Sequence, residues 1–470
     1  MDVECILNNR YSATGVLLKY LGRKPKEENS MKKLLALLLV AVMVMAIAPM
    51  ALAADEVVVN VYHYAVEGQK ADAIEAIEKR FAEANPDANI RFENHLYSQG
   101  GSPNYFDQLS SAVLADPASV DLMMGNPGVY TDLINEGYVM DLTNNQTILD
   151  LGLSSADMGD VSYLGKWYAY PVDFKSWGVF YNVDLFEKLG LKVPTTKTEL
   201  LDVCQKLLDN GVAPWAQWYA DGASVDIEVR IVLWTEAVKD GKLDMFEKLM
   251  KGEAKLADYP YFQKAVEVWG ERIGAGKGWA LPEAVANDQT AGNEAFISGK
   301  AGMLYQGTWN IGTIEEKIAG SDFRYGFFLC PTDDSGEIPT LNTQVDQAFM
   351  INPQGKNAAW AQKFMEYWLS EEMGFWSDAT YQPCITGATT ENTPALLQSL
   401  LAAKATGNTA GYGNFTMSFS SAFIKAYRKA LTAYATWACT GVETSGVKDA
   451  ETCIKYMQEL FDEEIAQAAL

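Results

Sequence analysis

Histidine is nearly missing from this chain, which has two, His63 and His95, in 470 residues. No HExxH, GxSxG, Walker A or GxGxxG pattern is present either, so the sequence carries no specific signal for metal-assisted hydrolysis, acyl transfer or nucleotide chemistry. Zinc would need ligands that the chain hardly has, and no cofactor is called for. His63 lies in an extended run between Tyr62 and Tyr64 and reads as a hydrogen-bonded structural residue. Carboxylate pairs suited to sugar hydrolysis exist, but abundance alone supplies them. Cations are also in short supply, with 37 Lys and Arg against 61 Asp and Glu. Such a chain repels nucleic acid and anionic lipid, which excludes both as expected partners.

Beyond the first 53 residues five cysteines remain, Cys204, Cys330, Cys384, Cys439 and Cys453, an odd number with no CxxC pair. A Cys439–Cys453 disulfide is permitted in an oxidising compartment, though spacing alone cannot establish it.

One long apolar run stands out against this polar background. From Met31 the chain reads MKKLLALLLVAVMVMAIAPMALAADE, two lysines followed by an apolar stretch, Pro49 and Ala51-Leu52-Ala53. That is the layout of a secretory signal peptide over residues 31–53, cut after Ala53. The rival reading is an uncleaved anchor, because residues 34–54 are uncharged and long enough to span a bilayer. Residues 1–30 are mixed polar and basic and are expected to be untranslated leader, since Lys26-Glu27-Glu28 fits codons of a ribosome-binding sequence ahead of Met31. Residues 1–53 hold seven basic and four acidic side chains, so the exported chain keeps 30 basic and 57 acidic ones, a net charge of −27. No cysteine lies at the cleavage site for lipid attachment.

Past the signal, strands alternate with helices. The run EVVVNVYHY is followed by ADAIEAIEKRFAEANPD, in which Ile74, Ile77 and Phe81 share one helical face and Asn85-Pro86 ends the helix. Asn89-Ile90-Arg91-Phe92 resumes an extended segment, a helix spans about Tyr105–Ala115, and a short strand Val120–Met124 precedes Gly125-Asn126-Pro127-Gly128. Thr196-x-x-Glu199 is a capping box. Ala301–Tyr305 reads as a strand, and Ala358–Ser370 as a helix with Ala361, Phe364, Met365 and Trp368 on one face. Gly/Pro-rich stretches at 273–284, 330–344 and 404–416 read as loops, the last between C-terminal helices. This alternation, over a length that exceeds one core, predicts a two-lobed α/β protein with mostly parallel sheets. In such sheets ligands sit beyond the carboxyl ends of strands. Tyr64, Tyr97, Asn126 and Trp309 each follow a strand, and Gly307 lets the chain turn tightly before Trp309.

In order, VNVYHY, YFDQLSSAVLADPASVDLMMG, GKWYAYPVDFKSWGVFYNVDLFEKLGLKVPTTKTELLDVCQKL, AFISGKAGMLYQGTWNIG, RYGFFLCP and AFMINPQGKNAAWAQKFMEYWL resemble the extracellular solute-binding proteins of ATP-driven sugar importers, the maltose-binding-protein-like group. The resemblance covers nearly all of the chain from Val57 onward. It implies the type II periplasmic-binding fold, with a ligand cleft between lobes. Its lobes would comprise residues 54–172 with 331–375 and residues 178–327 with 380–470, joined by crossovers at 173–177, 328–330 and 376–379. It also implies a carbohydrate ligand, an oligosaccharide in the first instance, and a monomer that docks on a membrane permease outside the cytoplasm. The implied ligand contacts are Tyr64, Glu67, Tyr97, Asn126, Asp173, Lys175, Trp177, Trp309 and Asp346. A polyamine or sugar-phosphate binder, a sensor's binding subunit and an exported glycosidase are the competing expectations.

Overall fold

The computed structural model describes residues 56–468 apart from 66–69, 98–104, 154, 221, 243, 338, 386 and 412–420. The expected leader, signal peptide and Glu67 lie outside the described residues. The β-branched run at Val57–His63 forms β1, which pairs in parallel with β2 (Ile90–Leu96) on one side and β3 (Leu122–Met124) on the other. Between β1 and β2 runs helix Lys70–Ala84, whose Ile74, Ile77 and Phe81 are buried. Truncating Phe81 to Ala would cost roughly 3–5 kcal/mol, because its ring meets Phe92, Trp360, Phe364 and Tyr367.

The next two strands, β4 (Ser162–Tyr163) and β5 (Lys166–Trp167), form a small hairpin. The strand that organises the molecule follows it, β6 (Tyr170–Asn182). Its first part pairs antiparallel with β10 (Leu341–Ile351), from Tyr170 opposite Phe349 to Ser176 opposite Thr343. Its second part pairs antiparallel with β8 (Ala301–Gly307) and β9 (Tyr325–Phe328), starting at Trp177 opposite Gly307. β7 (Ala213–Trp215) lies parallel to β8. The strand thus changes partners between Ser176 and Trp177. Tyr170, Val172 and Phe174 enter the N-terminal core, while Trp177 and Val179 enter the C-terminal core built on Trp215, Trp269, Phe246 and Phe262.

Several local expectations are refined. Thr196 Oγ1 accepts the Glu199 amide at 3.2 Å, but the Glu199 carboxylate reaches back to Thr195 rather than to Thr196. Helix Ala358–Tyr367 gives way to one π turn at Trp368–Glu372, and Ala361, Phe364, Met365 and Trp368 are all buried. His63 is buried, but neither ring nitrogen finds the expected hydrogen-bond partner among the described residues; burial pushes its pKa down to about 4, so the ring is neutral. The permitted Cys439–Cys453 disulfide is not formed, since both are free buried thiols and the Cys453 thiol donates to the Ala430 carbonyl.

The third crossover expected at 376–379 is displaced along the chain. Trp376, Tyr381 and Cys384 pack in the N-terminal core, and helix Ala395–Ala405 adds Leu397, Leu400 and Leu401 to it. Where a loop was expected, β11 (Thr409–Gly411) pairs in parallel with β10. A buried ion pair accounts for this, because Lys404 Nζ reaches Asp157 Oδ2 at 2.7 Å and the Cys384 carbonyl at 2.6 Å. Both groups are almost wholly enclosed, and separating them would strand two buried charges. The C-terminal core takes up the chain again in helix Ser421–Thr440, through Phe423, Tyr427 and Leu431.

Asp160, at the end of helix Ser155–Asp160, accepts the Val345 amide of β10 at 2.8 Å. Burial pushes its pKa up to about 7, with Asp157 adding to the shift. The native state therefore keeps a proton that the unfolded chain releases near pH 4. This contribution is complete below the unfolded value and is lost as pH rises through about 7. Asp160→Asn keeps the acceptor and removes the ionisation. Its denaturation midpoint should exceed the wild type's at pH 8, and the gap should close toward pH 4; a gap constant with pH would refute the assignment.

Candidate functional site

Three sequence-predicted residues occupy alternate positions on β6: Asp173, Lys175 and Trp177. A period of two puts such positions on one face of a strand. Opposite them the β10 register slips, with Val345 facing Phe174 and Gln347 facing Asp173, so Asp346 is the extra residue of a bulge. A bulge re-aims the side chain it carries. Here it brings Asp346 Oδ1 to 3.0 Å from Lys175 Nζ, and Asp346 Oδ2 to 3.1 Å from Lys70 Nζ. Lys70 Nζ also lies 3.2 Å from Asp173 Oδ2, whose second oxygen accepts the Gln347 amide at 2.8 Å.

The result is a quartet of two ammonium groups and two carboxylates. Lys70 and Asp173 are buried, whereas Lys175 and Asp346 keep part of their surface. Burial pushes the Asp173 pKa up, against the pull of the Lys70 ammonium that faces it. Burial acts on Asp346 in the same direction, but Lys175 and Lys70 outweigh it and hold its pKa well below the usual carboxylate range. Lys70 stays protonated because Asp173 and Asp346 overcome its desolvation. Tyr64 stands beside this group, its pKa pushed up to about 12 by burial and then by Asp346, so the phenol remains a neutral donor.

An aromatic wall adjoins the charges. The Trp177 and Trp309 rings meet edge to face with centroids 4.3 Å apart, and Lys175 Nζ sits 5.6 Å from the Trp309 centroid. Trp309 belongs to the short 3-10 turn Thr308–Asn310 after β8, with helix Ile311–Ile318 following. Its indole folds back over Gly307, where a Cβ would lie 1.8 Å from ring carbon Cζ3. Gly307 has φ −79° and ψ 151°, values any residue adopts, so the glycine makes room for the ring and is not needed for the turn's backbone.

Tyr97 stacks on Tyr62 at 6.3 Å, just past the end of the outer strand β2. Asn126 caps the turn Pro127–Val129 after β3 without a side-chain cap bond and is partly exposed. Two participants escaped the sequence reading, Lys70 and Tyr381, whose ring centroid lies 5.2 Å from Lys70 Nζ. No cluster of three or more His, Cys, Asp or Glu able to hold a metal occurs among the described residues.

A family model described as bacterial extracellular solute-binding protein matches residues 65–374, well over half the chain. The chain is 27% identical to an uncharacterized ABC transporter extracellular-binding protein of Pyrococcus horikoshii over 292 residues, 58% of this chain and 60% of that relative. It is 25% identical to a probable sugar-binding periplasmic protein of Rhizobium meliloti over 302 residues, 62% of this chain and 68% of the relative. Among solved structures, apo RafE from Streptococcus pneumoniae superposes with a TM-score of 0.66 at 20% identity, covering 87% of this chain and 98% of RafE. RafE in complex with raffinose gives a TM-score of 0.65, also at 20% identity, over 87% of this chain and 100% of that one. At these identities the structural likeness is one of fold.

The glycine geometry yields a paired test. Trp309→Ala should weaken ligand binding by about 1–3 kcal/mol, one to two decades in Kd, with a smaller effect on folding. Gly307→Ala leaves the ring's chemistry intact but takes its space, and should weaken binding to a similar extent. Calorimetric titration and chemical denaturation of both variants read this. Normal affinity in Gly307→Ala would mean that the ring's position does not matter to the ligand.

Proposed function

Because the chain belongs to the bacterial extracellular solute-binding protein family, we propose that it captures a neutral carbohydrate, an oligosaccharide in the first instance, between its lobes and hands it to the permease of an ABC importer. The observation that carries this reading is the charge balance of Lys70, Lys175, Asp173 and Asp346 beside the Trp177–Trp309 pair. A sugar ring has an apolar C–H face that packs on an indole and a rim of hydroxyls that both donate and accept. Paired carboxylates and ammonium groups retain lone pairs and N–H bonds for such a rim, and Tyr64 supplies another hydroxyl. A phosphate would call for cations not already committed to carboxylates, and a polyamine for carboxylates not already committed to lysines. The description of the Rhizobium relative as sugar-binding and the raffinose complex of RafE agree with the carbohydrate reading. A role as a sensor's binding subunit would use the same site. The protein acts as a monomer, and its function is binding without turnover.

In the proposed cycle the lobes close on the ligand by bending where β6 changes partners. A thermal-shift panel of raffinose, maltotriose, xylotriose, glucose 6-phosphate and spermidine should single out a neutral saccharide. A ligand at ~100 times its Kd should add about 2.7 kcal/mol of stability. That saccharide should also reduce the radius of gyration in solution scattering and emerge unhydrolysed. Stabilisation by spermidine or glucose 6-phosphate with no response to the sugars would contradict the proposal.

A further inference from the structure

Behind the aromatic wall lies a buried ion pair that the ligand cannot touch. Glu228, fully enclosed in helix Ala223–Lys239, bonds the Arg272 guanidinium of helix Tyr261–Arg272. The glutamate is fixed from three further sides, by Trp269 Nε1 at 2.8 Å, Gln217 Nε2 at 2.7 Å and Ser224 Oγ at 3.1 Å. The guanidinium lies over the Tyr305 ring, 4.2 Å from its centroid, and its Nε has no acceptor among the described residues. Tyr305 in turn lies nearly parallel to Trp177, centroids 6.5 Å apart and planes 16° apart. Trp177 meets Trp309 edge to face.

A column therefore runs from the helical layer to the ligand wall: Glu228, Arg272, Tyr305, Trp177, Trp309. It is closed upon itself at its base, because Gln217 donates to Glu228 through Nε2 and accepts the Tyr305 amide through Oε1 at 3.2 Å. Burying such a pair is expensive, and well-packed apolar side chains could fill the same volume at no loss of stability. What apolar side chains could not supply is a planar cation of fixed orientation against one face of Tyr305. We propose that Arg272 is a positioning residue for the binding site, setting the Tyr305 plane and through it the angle of Trp177 against Trp309. The inference rests on the reading of those two tryptophans as the ligand platform, but its primary test needs no ligand.

The charge-neutral variant Glu228→Gln/Arg272→Met avoids an unpaired buried charge. Near-UV circular dichroism is recorded with and without Trp309→Phe in the wild-type and double-variant backgrounds, so each difference isolates the Trp309 signal. In the double variant that difference should collapse, while the corresponding difference for Trp279→Phe, a core tryptophan outside the column, persists. An unchanged Trp309 difference overturns the proposal, and so does loss of both signals, which would report general loosening of the core. If the double variant does not fold, Arg272→Lys carries the same test, since lysine keeps the charge without the planar face. A collapsed Trp309 difference then supports the proposal and an unchanged one overturns it. Raffinose titration should show roughly tenfold weaker binding in the variant, the scale of one lost aromatic constraint. If no saccharide binds the wild type, the functional reading fails while the spectroscopic result still decides the role of Arg272.

Discussion

A carboxylate sits in the strand shared by both lobes, and it is buried. Asp173 is 2% exposed, at a point where β6 is about to exchange one set of partners for another. An unpaired charge there would cost several kcal/mol, so the fold must deliver a cation to that spot. Lys70 arrives because Ile74, Ile77 and Phe81 seat its helix against the N-terminal core. Asp346 arrives because β10 bulges opposite. The ion pairs thus tie the first helix and the two central strands of the N-terminal lobe to one point. That point is the edge from which the second lobe begins.

The same constraint shapes what the site can recognise. Each ammonium already faces a carboxylate, and beside these pairs stand two indole rings. Lys175 joins the two halves, bonding Asp346 on one side and lying toward the Trp309 ring on the other. Under the proposed function, such a surface discriminates by the positions of hydroxyls and by ring faces more than by charge. The C-terminal lobe contributes its wall through a glycine that leaves room for an indole, and it supports that wall from behind with a buried guanidinium.

Much of this was legible in the sequence where local pattern decides structure. The β-branched run of β1, the helical face of Ile74, Ile77 and Phe81, and the strand that begins at Ala301 follow from residue type and periodicity. Asp173, Lys175 and Trp177 came instead from the family resemblance, and their alternation on one strand appears only with β6. What could not be read was long-range pairing. Lys70 looks like any solvated helix-start lysine until Asp346, 276 residues away, is brought to it. Tyr381 and helix Ala395–Ala405 pack in the N-terminal core, and the Lys404–Asp157 pair at that helix's end joins residues 247 apart. No composition or spacing announces such a pair. The bulge that aims Asp346 is likewise a property of two strands together, invisible in either alone.

The central claim is that a charge-balanced site binds an uncharged sugar. The most direct measurement is the salt dependence of Kd, by calorimetric titration of a neutral trisaccharide such as raffinose at low and at high sodium chloride, with glucose 6-phosphate and spermidine as competitors. The account predicts an affinity that barely changes with salt and resists both charged competitors, because no net charge is neutralised on binding. An affinity that falls steeply as salt rises, or displacement of the sugar by either charged competitor at comparable concentration, would contradict it.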